Sequence, residues 1–163
     1  MSRERAAAGL RQFLTSGRLS LVLRYALGAL ILLSAVPKLI DIEANSVYVV
    51  YSYYILPIQP VNVARLVGLV VPYIELLIGI GLIFGILPRL SAIGWMVMSL
   101  AYFSVKIDLI FVQGRIVPCG CFGGLFPNML VTQSIWIDVM SVLSCIQIIL
   151  ANRSLNTLSQ QNA

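Results

Sequence analysis

Four long apolar runs, separated by short segments that collect the prolines and most of the charges, set the pattern of this chain. They extend from about Leu19 to Val36, Val61 to Leu87, Leu90 to Val112 and Val131 to Leu150. A helix that crosses a hydrocarbon core of ~30 Å needs about 20 predominantly apolar residues. Backbone groups in lipid must be satisfied within their own segment, so each run predicts an α-helix rather than a strand. Pro37, Pro60, Pro88 and Pro118 fall at or beyond the ends of the runs, where helix breakers belong. Pro72 is internal to the second run and predicts a kink there. Gly81 and Gly85 form a small-xxx-small pair of the kind that lets helices pack closely. The expected fold is an all-α membrane protein, a four-transmembrane-helix bundle. An N-terminal segment (1–18) and a tail (151–163) flank the membrane domain (19–150).

Composition supports the same solvent. Of 163 residues, 60 % are hydrophobic and 10 % are charged, against about 25 % charged in a typical soluble domain. Histidine is absent, which removes the commonest general base and metal ligand and argues against a zinc or haem site. Redox chemistry here would have to run on thiols or on a bound organic cofactor, and no cofactor motif is evident. The net charge of +5 does not point to nucleic acid, because the basic residues sit at segment ends. Arg3, Arg5, Arg11 and Arg18 precede the first run, Arg89 lies in the second connection and Arg153 follows the fourth. Lys38 and Arg115 are the only basic residues of the other two connections. Positive charge in the cytoplasmic loops then places both termini in the cytoplasm of a multi-pass inner (plasma) membrane protein. A cleaved signal peptide is the rival for the first run. The run is longer than the 7 to 15 residues of a typical signal core, and it ends in Val36-Pro37-Lys38 rather than in a small-x-small site. A retained helix is expected.

The two connections assigned to the outside carry the chemistry. The first holds Tyr48, Tyr51, Tyr53 and Tyr54 between Asp41 and Glu43 on one side and Pro57 and Pro60 on the other. Such tyrosines predict an interfacial segment, with rings in apolar surroundings and hydroxyls in water. A lid over the second connection, or over a quinone-like ligand, is the sharper alternative. The second connection holds Pro118-Cys119-Gly120-Cys121-Phe122-Gly123-Gly124. An intervening glycine permits the sharp bend that brings the two Cα atoms to disulfide distance. The ring so closed is small, and a strained, exposed disulfide is an exchangeable one. The outer compartment also keeps disulfides, whereas the cytosol reduces them.

Charges inside the runs invite pairing, since a lone charge in lipid is costly. Arg24 lies roughly 8 Å above the inner end of its helix, and Glu75 about 9 Å from the inner surface, so the two are expected to form a structural ion pair. Arg65, Lys106, Asp108 and Asp138 lie roughly 6 to 10 Å below the outer face. A cation near a cysteine raises its thiolate fraction. Lys38, Arg65 and Lys106 are therefore candidate tuning groups for a Cys119/Cys121 redox pair, with Asp108 and Asp138 as the acids that hold them, although solvation at the interface is the favoured reading of Lys38. Lys38 is expected to snorkel to the interface. Cys145, deep in the fourth run, is expected to pack as a small hydrophobe.

Arg24 with Gly28, the Pro37-Lys38 helix end, Leu56-Pro57 closing the Tyr-rich segment, Pro72 with Glu75 and Gly79, and Cys119-Gly120-Cys121-Phe122-Gly123 together resemble the MauE/DoxX family. The resemblance covers about residues 19–150 and is closest to the methylamine-utilisation MauE branch. It implies a four-helix membrane protein associated with a thioredoxin-like extracytoplasmic protein and with its disulfide-containing client, as in the maturation of methylamine dehydrogenase subunits. The expected role is then to help form or maintain disulfides in that partner; no cofactor is evident, and a membrane quinone as electron acceptor has no motif to support it. Two other classes stay open. One is a non-enzymatic assembly factor or scaffold for the thioredoxin-like partner. The other is a Cu(I)-handling protein using two soft thiolates.

Overall fold

The computed structural model describes the backbone of residues 17–43, 61–116, 118–119, 121–122 and 128–161. The Tyr-rich segment and Arg3, Arg5 and Arg11 lie outside the described residues. Helix α1 spans Gly17–Ile40, α2 Val61–Phe84, α3 Pro88–Ile107 and α4 Val131–Gln161. A π-helical turn, Asp108–Val112, continues α3. All four helices are long and apolar enough to cross a membrane.

Two helix ends differ from the sequence expectation. Pro37 lies inside α1, which continues to Ile40. Its missing N–H frees the Leu33 carbonyl, and membrane helices tolerate proline where neighbours cover the freed group. Helix α4 continues to Gln161 rather than stopping near Leu150. The apolar run marks the length that lipid covers (Val131–Asn152) and not the length that can stay helical.

Helix α1 packs along α2 and α3 along α4, and contacts of α1 with α4 and of α2 with α3 close the bundle. Leu27, Ile31, Leu82, Ala92, Trp95, Cys145 and Ile148 form the apolar centre. Cys145 is a free, fully buried thiol within it, in keeping with a packing role. The outside is apolar as well: Leu77 is 68 % exposed, Phe111 75 % and Trp136 71 %. Meanwhile Lys38, Glu75, Ser99, Lys106, Asp138 and Ser141 are buried. A bundle that turns large apolar side chains outward and folds charges inward has lipid as its solvent.

Close approach of α1 and α2 depends on Gly28 and Gly79. A Cβ placed on Gly28 would stand 2.8 Å from Ile83 Cγ1 and 3.2 Å from the Gly79 carbonyl oxygen, and one on Gly79 would stand 2.8 Å from Leu32 Cδ2. Gly81 and Gly85, the pair the sequence singles out, act elsewhere. Gly81 faces Ser91 at the α2–α3 corner. Gly85 ends α2 with φ +70°, beneath the Arg24 guanidinium, in a region open to glycine at little cost. Gly28→Ala should therefore lower stability in detergent by about 1–3 kcal/mol, the usual cost of overpacking a tight contact. Gly94→Ala is the control, because its Cβ would meet Ile78 Cδ1 at an ordinary 3.4 Å. Thermal unfolding of both variants checks this, and equal shifts would contradict the assigned contact.

Candidate functional site

The disulfide turn begins where α3 unwinds. Past Val112, the Gln113 N–H donates to the Asp108 carbonyl (3.1 Å) and the Arg115 N–H to that of Leu109 (2.9 Å). Gly114, at φ +63°, redirects the chain. Pro118 then forms an isolated antiparallel bridge with Leu130, at the entry to α4, and the Cys119 N–H donates to the Met129 carbonyl at 2.7 Å. Cys119 and Cys121 are disulfide-bonded, with Cα atoms 5.2 Å apart. The pair is not an exposed one. Cys119 is only 1 % exposed and Phe122 6 %, whereas Cys121 is half-buried. The turn leans on the bundle instead of standing clear of it.

What it leans on is a buried polar network. Ser34 Oγ donates to the Cys121 carbonyl at 2.6 Å. Lys38 Nζ donates to Ser34 Oγ at 3.0 Å and to both Glu75 carboxylate oxygens at 2.9 Å. Tyr102 Oη donates to Glu75 Oε1 at 2.6 Å, and the Lys38 ammonium lies 5.8 Å from the centroid of the Tyr102 ring. Helical spacing delivers these groups together. Leu27, Ile31, Ser34 and Lys38 share the buried stripe of α1, because residues three and four apart fall on one face. On α3, Trp95, Ser99, Tyr102 and Lys106 recur at the same spacing, with the Trp95 ring edge-on to Tyr102 at 6.4 Å. Trp95 Nε1 and Ser99 Oγ are buried with no hydrogen-bond partner among the described residues.

This network overturns the expected Arg24–Glu75 pair. Glu75 belongs to Lys38, and the Arg24 guanidinium instead lies over the Tyr25 ring, 5.3 Å from its centroid, and against Gly85. The cause is interhelical register. Gly28 sits opposite Gly79, Leu82 and Ile83, so the antiparallel α2 carries Glu75 toward the C-terminal end of α1. Arg24 and Lys38 stand roughly 21 Å apart along α1 at 1.5 Å per residue, and a carboxylate near one is out of reach of the other. Lys38 accordingly does not snorkel: it is 7 % exposed and held inside by three acceptor atoms.

The remaining charged candidates fall in three places. Lys106 and Asp138 form a second buried ion pair at 2.6 Å between α3 and α4, one of the cation–acid combinations that the sequence left open. Asp108 holds no lysine and accepts a hydrogen bond from Gln113 Nε2 at 2.7 Å instead, one turn beyond α3. Arg65 pairs with Glu43 at 2.9 Å, with both side chains more than half exposed; such a surface pair contributes roughly 0–1 kcal/mol. Ser34 and Tyr102 are the site residues the sequence reading missed. The i, i+4 relation of Ser34 to Lys38 was the available signal for the first, whereas Tyr102 had none, because its role depends on how α3 faces α2.

No curated protein and no solved structure matches the chain. The family model described as methylamine utilisation protein MauE matches residues 16–151, a span that contains α1 to α3, the disulfide turn and the membrane-crossing part of α4. This multi-pass membrane protein belongs to the MauE family.

Proposed function

We propose that this protein serves methylamine utilisation by exchanging its Cys119–Cys121 disulfide with the thiols of a thioredoxin-like protein outside the cytoplasm, and so helps form or maintain disulfides in that protein's client. The observation that carries the reading is the seating of the turn. A two-residue-spaced disulfide is hydrogen-bonded through Ser34 to a buried lysine–glutamate pair inside the helix bundle. A buried ion pair is weak evidence for stability alone, and ionisable groups within membrane spans mark functional regions by default. Cys145 is sealed in the core, so among this chain's three cysteines only the turn pair is placed for exchange. One pair can oxidise a partner dithiol once, and the return of those electrons falls to another component. Positive-inside asymmetry puts the termini in the cytoplasm and the turn in the compartment that preserves disulfides.

A second reading has its own support. The 1 % exposure of Cys119 suits a closed disulfide that shapes a docking surface, in which case the protein is a scaffold for the same partner. Cysteine state in living cells separates the two. Intact cells are treated with a membrane-impermeant maleimide, with and without brief prior reduction, and the turn peptide is mapped. Exchange predicts two populations, closed and open, with the open one labelled from outside. A pair found only closed, or labelled only after lysis, would contradict it.

A further inference from the structure

The two halves of the disulfide sit in different surroundings. Cys119 is 1 % exposed, its N–H fixed to the Met129 carbonyl at 2.7 Å and its neighbour Pro118 bridged to Leu130. Cys121 is half-buried, and its carbonyl accepts from Ser34 Oγ at 2.6 Å. None of these bonds uses a sulfur, so all of them can outlast opening of the disulfide. Phe122, 6 % exposed, roots the turn immediately after Cys121. Contacts that outlast opening would keep Cys119 buried and leave Cys121 the more exposed of the two.

Thiol–disulfide exchange needs an approach to one particular sulfur, and access helps decide which sulfur is attacked. From this asymmetry we infer that Cys121 is the sulfur that meets the partner and Cys119 is the internal leaving and resolving sulfur. The assignment rests on the exchange reading above and adds the roles of the two cysteines. In the first step a partner thiolate attacks Cys121 Sγ. A bond forms between the partner sulfur and Cys121 Sγ, the Cys119–Cys121 bond breaks, and its electron pair leaves on Cys119 as a thiolate. A second thiolate of the same partner then attacks the partner's own sulfur in the mixed disulfide and releases Cys121 as a thiolate. The partner dithiol is thereby oxidised by two electrons and the Cys119/Cys121 pair is reduced by two. Until that second step the Cys119 thiolate stays beside Cys121 and can attack it to reclose the turn, so the mixed disulfide is short-lived while Cys119 is present. Ser34, which touches the Cys121 backbone and neither sulfur, is a positioning residue.

Glutathione disulfide is the probe. Membranes carrying Cys119→Ser or Cys121→Ser are treated with it, quenched in acid and mapped by mass spectrometry, with the sealed Cys145 thiol as an internal unreactive reference. Cys121, left alone in Cys119→Ser, should take up glutathione faster than Cys119, left alone in Cys121→Ser, by about tenfold or more, the rate effect of ~1.4 kcal/mol in the barrier. The wild-type protein is tested too, so that neither cysteine is substituted: reduced glutathione is added, free thiols are blocked with N-ethylmaleimide after a short interval, and the adduct should be found on Cys121 with the maleimide on Cys119. Preferential adduct on Cys119, or equal uptake at both, overturns the assignment and leaves exchange standing. No adduct on either cysteine in any of the three proteins overturns exchange itself and the assignment with it.

Discussion

Glu75→Gln should be among the most destabilising single substitutions in this chain. The change keeps the side chain's size but leaves the Lys38 ammonium, 7 % exposed, without its counter-charge. Removing one partner of a buried ion pair typically costs about 3–5 kcal/mol, because the remaining charge is stranded away from water. Tyr102 Oη can still donate to the amide oxygen, so the loss reports on the ion pair more than on that hydrogen bond. The partner identifies itself by rescue. Lys38→Met in the Glu75→Gln chain removes the stranded charge and should recover most of the lost stability, whereas Arg24→Gln should recover none. Detergent-unfolding midpoints for the two singles and the Glu75/Lys38 double form the cycle. Additive losses at Glu75 and Lys38, or rescue by Arg24→Gln, would contradict the pairing.

The second large effect is functional. Replacing both turn cysteines should abolish the protein's contribution to methylamine utilisation while leaving the helices in place, because the bundle's apolar centre and both buried ion pairs lie outside the Cys119–Cys121 link. A disulfide this local closes a very short loop, so it removes little chain entropy from the unfolded state. Its loss should cost far less stability than Glu75→Gln.

The membrane fold was legible because it depends on a one-dimensional property. Twenty apolar residues in a row have few other uses, and all four spans were visible as such. The burial of Cys145 could also be read from depth alone, whereas depth grouped Lys106 and Asp138 with Arg65 and Asp108 without saying which acid meets which cation. What failed was everything that depends on which way a helix faces and how far it slides along its neighbour. Counting from membrane surfaces matches Arg24 with Glu75, but register is set by Gly28 meeting Gly79, and hydropathy does not encode it. Depth alone leaves Lys38 at the interface, although its place one turn beyond Ser34 on the stripe of Leu27 and Ile31 points it inward. The Cys119-x-Cys121 turn was recognised as the centre of interest from sequence. Its half-burial was not, because that depends on Ser34 reaching the Cys121 carbonyl from a helix far away in the chain.

Exchange requires the Cys119–Cys121 pair, and the double variant Cys119→Ser/Cys121→Ser tests that requirement most directly. Cells carrying it, with the protein present in the membrane at wild-type abundance, are grown with methylamine as the required substrate, and the disulfides of the proposed client, methylamine dehydrogenase, are counted. Exchange predicts failed growth on methylamine and unpaired client thiols. Normal growth with a fully bridged client would contradict the redox account and leave the protein as a scaffold.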